Sequence, residues 1–290
     1  MDITLITHIL NEEVLLPSWL THHKKLFTHG IVMDSGSTDR SLDIIREICP
    51  TWEIRILTHD EIWKKDIGMV MHLEKDIKGW KCALNVAEYL IIDNLERYLV
   101  EFEKNNPEAI GFRTTGVILV DEPDATDIST FTDPEMLLTK SNGYLEAGSA
   151  WDGAFHPDGS FTVNDLVYRC RLIHKNESGC YLGGRHTTTL DVNVQPDIYV
   201  AWIGRGSPEV YMKKCASWCR PPSGIYLFNG SYYLRMSKRE EAYNFWKYEL
   251  KKAYNIFDKV EGYKKYLDVL YGKTDTADST PEDKQITISS

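Results

Sequence analysis

The nine residues "MDSGSTDRS", 33–41, lie between the apolar "THGIV" and the amphipathic "LDIIREICP". An apolar run that stops at Asp34, crosses small polar residues and restarts with apolar side chains three and four apart predicts a strand, a tight turn and a helix. Gly36 suits the turn, and Asp39 suits the start of a helix beginning at Arg40 or Ser41. Upstream, "DITLI" (2–6) alternates and is β-rich, and "EEVLLPSWLTHHKKLF" (12–27) has near-helical apolar spacing, with the helix proper starting at Pro17. Downstream, "WEIRILT" (52–58) is a third strand. The order β-α-β-α-β with short connections predicts a parallel sheet with helices on both faces, which receives ligands at the carboxyl ends of its strands.

The pattern continues with a helix over 61–77, one buried strand over 79–92 ("GWKCALNVAEYLII"), a helix over 94–106 and a strand over 109–120. Residues 121–159 are rich in Asp, Pro, Gly, Ser and Thr and read as a long loop or insertion, the kind of segment that carries function. "LVYRCRLIH" (166–174), "CYLGGRHTTTL" (180–190) and "DIYVAWIG" (197–204) read as further strands, and 237–272 as helical. The expected organisation is an α/β domain over 1–235, a C-terminal helical extension over 236–273, and a disordered Thr/Asp/Ser-rich tail over 274–290. The aromatic residues of the extension, Trp246, Tyr248, Tyr254 and Phe257, read as packing, with a homodimer contact or a lid as the alternative use.

At 290 residues and 42% hydrophobic content, the chain can bury a sizeable core. A net charge of -10 argues against a nucleic-acid partner, because a phosphate backbone requires a basic surface. The start has no signal-peptide pattern, and no apolar run is long enough to span a bilayer, so a cytoplasmic location is expected. Six scattered cysteines do not resemble a disulfide framework, and "CASWC" (215–219) has neither redox CxxC spacing nor a second zinc-ligand pair.

Two motifs carry the chemistry. At the end of the second strand, Asp34 can accept hydrogen bonds from a base edge or ribose hydroxyls, while Ser35 and Gly36 let a ligand approach the backbone. The plainer reading of these residues is a capped turn. Just past the first strand stand Thr7, His8, Asn11 and Glu12, on the same sheet edge as Asp34 and Asp39. With "NEE" at 11–13, the "DSGSTD" turn and the spacing of "WLTHHKKLFTHGI" (19–31), the chain resembles family 2 glycosyltransferases of the GT-A fold over about residues 2–110.

The resemblance implies a UDP-, GDP- or dTDP-sugar donor with Asp34 near the base, a glycan or glycoconjugate acceptor, and transfer with inversion. It also implies an Asp-x-Asp that holds Mn2+ or Mg2+ against the diphosphate, and here the matching place reads "LNVAEYL", with Asn85 and Ala87 in place of the aspartates. Only Glu88 keeps an acid, and alanine cannot ligate a metal. Either Glu88 ligates a metal with help from Glu74 or His186, or basic residues replace the metal, or the site is inactive. The basic candidates are Arg169, Arg171, His174, Arg185 and His186, foremost Arg185 and His186 of "GGRH"; that motif is otherwise a hairpin turn. Weak metal dependence is expected.

For the base that takes the acceptor's proton, "EAGSAWDGAFHPDG" (146–159) offers Asp152, beside Trp151, with Glu146 as the alternate. Glu74, just before a buried strand, is a further donor contact or else a solvated helix residue. The rival readings are a degenerate nucleotide- or sugar-binding module and a nucleotidyltransferase. The latter normally shows a Gly-rich basic loop after the first strand, where this chain is acidic.

Overall fold

The computed structural model describes residues 1–58, 66–120, 133–145, 154–155, 161–162, 170–182, 185–205 and 239–273. Its strands are β1 (Ile3–Ile9), β2 (His29–Asp34), β3 (Glu53–Ile56), β4 (Trp80–Ala83), β5 (Glu88–Ile91), β6 (Gly111–Val120), β7 (Asn142–Leu145), β8 (Ala154–Phe155), β9 (Phe161–Thr162), β10 (Leu172–His174), β11 (Tyr181–Leu182), β12 (Thr187–Thr188), β13 (Val194–Arg205) and β14 (Tyr254–Asn255). The helices are α1 (Leu16–His23), α2 (Ser41–Ile48), α3 (Asp66–Glu74), α4 (Leu95–Asn105), α5 (Arg239–Leu250), α6 (Ile256–Lys259) and α7 (Tyr263–Leu270).

Among the described residues a ten-stranded sheet runs β14-β7-β6-β10-β4-β1-β2-β3, with β13 along the other edge of β6 and β5 on β13. Strands β1–β4, β6, β13 and β14 point one way and β5, β7 and β10 the other, so the sheet is mixed but mostly parallel. The expected α/β class is present, and the C-terminal helical segment joins the sheet, because β14 pairs with β7. No helix among the described residues is long and apolar enough to cross a membrane.

The first half is doubly wound for a reason visible in the side chains. In β1, Ile3, Leu5 and Ile9 pack on the face covered by Leu16, Trp19 and Leu20 of α1 and Ile44 and Ile45 of α2. Ile6 faces the other way, with Ile31 and Met33 of β2, onto Met69, Val70 and Leu73 of α3. The chain therefore winds outward from β1 to β3 on one face, crosses to the other through α3, and returns to β4 on the opposite side of β1. The strand order thus reverses between β1 and β4, which is the kind of topological switch point where open α/β sheets bind ligands.

The run 79–92 is two strands, which corrects the single buried strand read from its apolarity. It breaks at Asn85, and β5 joins the sheet far from β4, antiparallel to β13. Among the described residues the outer edge of β5 carries no further strand. Side chains of α1 cover it instead. Trp19 Nε1 donates to the Glu88 carbonyl at 2.8 Å, His22 Nε2 donates to the Leu90 carbonyl at 2.7 Å, and the Leu90 N–H donates to His23 Nε2 at 3.3 Å. The remaining nitrogens are used too. His23 Nδ1 donates to the Trp19 carbonyl, and His22 Nδ1 lies 2.8 Å from the Tyr271 hydroxyl at the end of α7. Both imidazoles thus have one donor and one acceptor in use, the pattern of the neutral ring.

Candidate functional site

The loops after β1 and β2 are built as one unit. The Asp34 carboxylate, buried at the strand end, accepts the N–H groups of Gly36 at 3.2 Å and Ser37 at 3.1 Å, so it folds the turn around itself. Gly36 has φ +95°, which other residues adopt only with strain. Asn11, at φ 54°, accepts from Thr38 N at 2.8 Å through Oδ1, and its own N–H donates to Ser37 Oγ at 3.0 Å. Asp39 accepts from Ser41 N at 2.9 Å, at the first position of α2, and from Glu13 N at 3.1 Å. Glu12 N donates to Ser41 Oγ, and Ser35 N to the Ile9 carbonyl. The co-occurrence of "NEE" and "DSGSTDRS" is therefore partly architectural, since each loop satisfies the other's backbone. Ser35 and His8 are half-buried at this edge, Gly36 is exposed, and Thr7 is fully buried one residue before His8.

Past β1, at the end of β4, lies the second cluster. Neighbouring strands are about 4.8 Å apart, which puts the loops after β2 and β4 roughly 10 Å from one another. Asn85 begins a turn closed by Glu88 N donating to its carbonyl at 2.9 Å and by its own N–H donating to Glu88 Oε2 at 2.7 Å. Glu88 is 3% exposed and takes a two-pronged ion pair from Arg171, with Nε donating to Oε2 at 2.8 Å and a second prong to Oε1. Arg171 just precedes β10, which runs antiparallel to β4 and so delivers it to this edge. Arg185, at φ 63° and 1% exposed, donates to Asn85 Oδ1.

Burial alone would push the Glu88 carboxyl up. The Arg171 guanidinium and its hydrogen bonds, the Asn85 N–H and Arg185 outweigh burial and hold it below the usual range. Arg113, beside Leu172 in the register of β6 and β10, is a half-buried basic residue on the neighbouring strand that sequence reading had not singled out. Its signal was a lone charged residue in a strand with no other charge.

These residues do not fit a divalent cation. The Asn85 side-chain oxygen faces a guanidinium, Ala87 is core, and the Glu88 oxygens receive Arg171 and Asn85. Among the described residues no group of three or more His, Cys, Asp or Glu has metal-binding geometry. His186 is half-buried, and its carbonyl accepts from Cys170 Sγ at 3.0 Å.

Glu74 is neither a solvated helix residue nor at the strand ends. It is 0% exposed, on the α3 face, and accepts from Gly179 N at 2.7 Å, the Tyr181 hydroxyl at 2.6 Å and His174 Nε2 at 3.1 Å. Lys81 Nζ, also buried, donates to the Glu74 carbonyl at 3.0 Å. Glu146, Asp152, Trp151 and Arg169 lie outside the described residues.

The fold and its edge define a doubly wound α/β protein with a polar turn and a guanidinium-rich cluster at the switch point. No family model matches the chain, nor does the sequence of any curated protein. Among solved structures, HddC from Yersinia pseudotuberculosis is 12% identical with a TM-score of 0.35, covering 75% of this chain and 99% of that one. TarS 1-349 from S. aureus is 14% identical with a TM-score of 0.31, over 44% of this chain and 40% of that one. Glucosyl-3-phosphoglycerate synthase from Mycobacterium tuberculosis, crystallised with Mn2+, UDP and glucosyl-3-phosphoglycerate, is 16% identical with a TM-score of 0.27, over 40% of this chain and 44% of that one. The chain thus spans less than half the length of the last two.

Proposed function

We propose that the chain is a glycosyltransferase that moves one sugar from a nucleoside-diphosphate donor to a hydroxyl of a glycan or glycoconjugate, with inversion. The observation that carries this reading is the pairing, at the switch point, of the Asp34 turn with the guanidiniums of Arg171 and Arg185 at Asn85 and Glu88. The nucleoside of a UDP-, GDP- or dTDP-sugar is assigned to the Asp34 turn, lined by His8, Asn11, Ser35 and Gly36. Its diphosphate is assigned to the loop after β4. In the reaction the acceptor oxygen bonds to the anomeric carbon, the bond from that carbon to the phosphate oxygen breaks, and the electron pair leaves with the nucleoside diphosphate. The acceptor's proton passes to a carboxylate, assigned to Asp152 with Glu146 as the alternate. Negative charge growing on the diphosphate needs fixed positive groups nearby, and the guanidiniums are the cations this edge supplies.

The test is release of nucleoside diphosphate from a panel of UDP-, GDP- and dTDP-sugars, with excess chelator or with millimolar Mn2+ or Mg2+. Turnover should persist in chelator and fall at least tenfold in Arg185→Ala. Activity that is abolished by chelator and restored by metal would overturn the metal-free site. A second reading is favoured by the closure of Glu88 on Arg171: a degenerate binding module, which would bind nucleoside diphosphates in calorimetry without turning over any donor.

A further inference from the structure

Glu74 is absent from the chemistry above, yet its carboxylate is fully buried and accepts three hydrogen bonds. Its three donors bracket one stretch of chain, residues 174–181, and the two guanidiniums of the β4 edge flank that stretch. Arg171 lies three residues before His174, and Arg185 four residues after Tyr181. The first flank is β10, which holds His174 on Glu74 at one end and has Arg171 on Glu88 just beyond the other. The second is the hairpin of β11 and β12, where Tyr181 pairs with Thr188 and Leu182 with Thr187, and Arg185 leaves the connection with positive φ to meet Asn85. The root of the hairpin is pinned twice more, by Gly179 N on Glu74 Oε2 and by Thr188 Oγ1 on the Gly179 carbonyl at 2.5 Å. Burial pushes the Cys82 thiol of β4 up; Arg171 and Arg185 oppose that shift, while Glu88 and Glu74 add to it, so all four charges act on this one position of the strand.

We infer that Glu74 is a positioning residue for the diphosphate subsite, acting through Tyr181 and the β11–β12 hairpin to hold Arg185 at Asn85. A guanidinium held by packing and by a buried hydrogen-bond anchor meets an anion without reorganising, and losing the anchor loosens that geometry without touching the ligand. The inference rests on the donor-site reading above and extends it to a residue that touches neither donor nor acceptor.

The experiment measures affinity for UDP, GDP and dTDP, each beside its own nucleoside, in wild type, Glu74→Gln, Tyr181→Phe, Arg185→Ala and the Glu74→Gln/Arg185→Ala double variant. Expected is a loss of about tenfold in diphosphate affinity for Glu74→Gln and about threefold for Tyr181→Phe, with nucleoside affinity unchanged. A merely structural role would lower the folded fraction and weaken both ligands by the same factor, leaving their ratio intact. In the Arg185→Ala background, Glu74→Gln should add no further loss. If Glu74→Gln does not fold, Tyr181→Phe removes a single hydroxyl and carries the same ratio test. A diphosphate preference that survives both substitutions, or a Glu74→Gln effect undiminished without Arg185, overturns the role of Glu74. A wild type that binds the diphosphates no better than their nucleosides overturns instead the donor-site reading beneath it.

Discussion

Glu88 and Arg171 form the deepest ion pair at the candidate site, with side chains 4% and 1% exposed. Removing one partner strands the other charge in the interior, which typically costs about 3–5 kcal/mol, whereas replacing both with apolar side chains of similar volume is often close to neutral. Urea unfolding should therefore show Arg171→Met losing about 3–5 kcal/mol and the Glu88→Met/Arg171→Met double variant recovering most of it. Equal losses in both would mean that the pair does not carry that energy. The exposed Arg46–Asp43 pair is the control, since an exposed pair of this kind is worth well under about 1 kcal/mol. At this scale the sequence revealed the candidates and concealed their partners. Asp34, Asn85, Glu88, Arg171 and Arg185 all stand out as polar residues at strand ends. That Glu88 meets Arg171, and Glu74 meets Tyr181, depends on contacts spanning 83 and 107 residues.

The turn between β2 and α2 was legible because its chemistry is local: an aspartate whose carboxylate binds the next N–H groups, a glycine at φ +95°, and a second aspartate serving the helix start. Gly36→Ala has room for its methyl group, with no described heavy atom within 4 Å, so its cost is conformational, about 1–2 kcal/mol. Asp39→Ala leaves the N–H groups of Ser41 and Glu13 without their acceptor and should cost about 1 kcal/mol in the same unfolding experiment. Both should weaken nucleotide binding, as should Asp34→Ala, by about 1–3 kcal/mol in calorimetry. Unchanged affinity in folded variants would take the nucleoside away from this turn. The split of 79–92 was illegible for the opposite reason. Both halves are apolar and buried, and what breaks the run is a turn held by a carboxylate that a distant arginine fixes in place.

Across the whole molecule, acid should act through His22 and His23. Burial is the main cause that holds His22 down, to about 4, and His23 lies well below its ordinary value for the same reason, with His22 adding to it. The unfolded chain binds protons near 6.5 and the folded one does not, so stability is full above about pH 6.5 and declines toward pH 4, by roughly 3 kcal/mol from His22 alone. Glu88 works in the same direction at lower pH, because a carboxyl held below its usual range loses its stabilising contribution when protonated. Urea midpoints between pH 4 and 7 should fall with acidification, and a folded His22→Gln should flatten that slope; a slope unchanged by the substitution would place the sensitivity elsewhere. The doubly wound half of the sheet was readable from alternation alone. The order of the other half was not, because β10 inserts between β4 and β6 from far along the chain. That insertion bears on how the protein is made. During synthesis β4 leaves the ribosome with one flank already matched to β1, while the residues that will occupy its other flank follow about 90 positions later. At translation speeds of about 5–20 residues per second, that flank stays open for roughly 5–18 seconds in every nascent chain. A chaperone acting on this protein would find its binding window in that interval, closing when Leu172–His174 emerges.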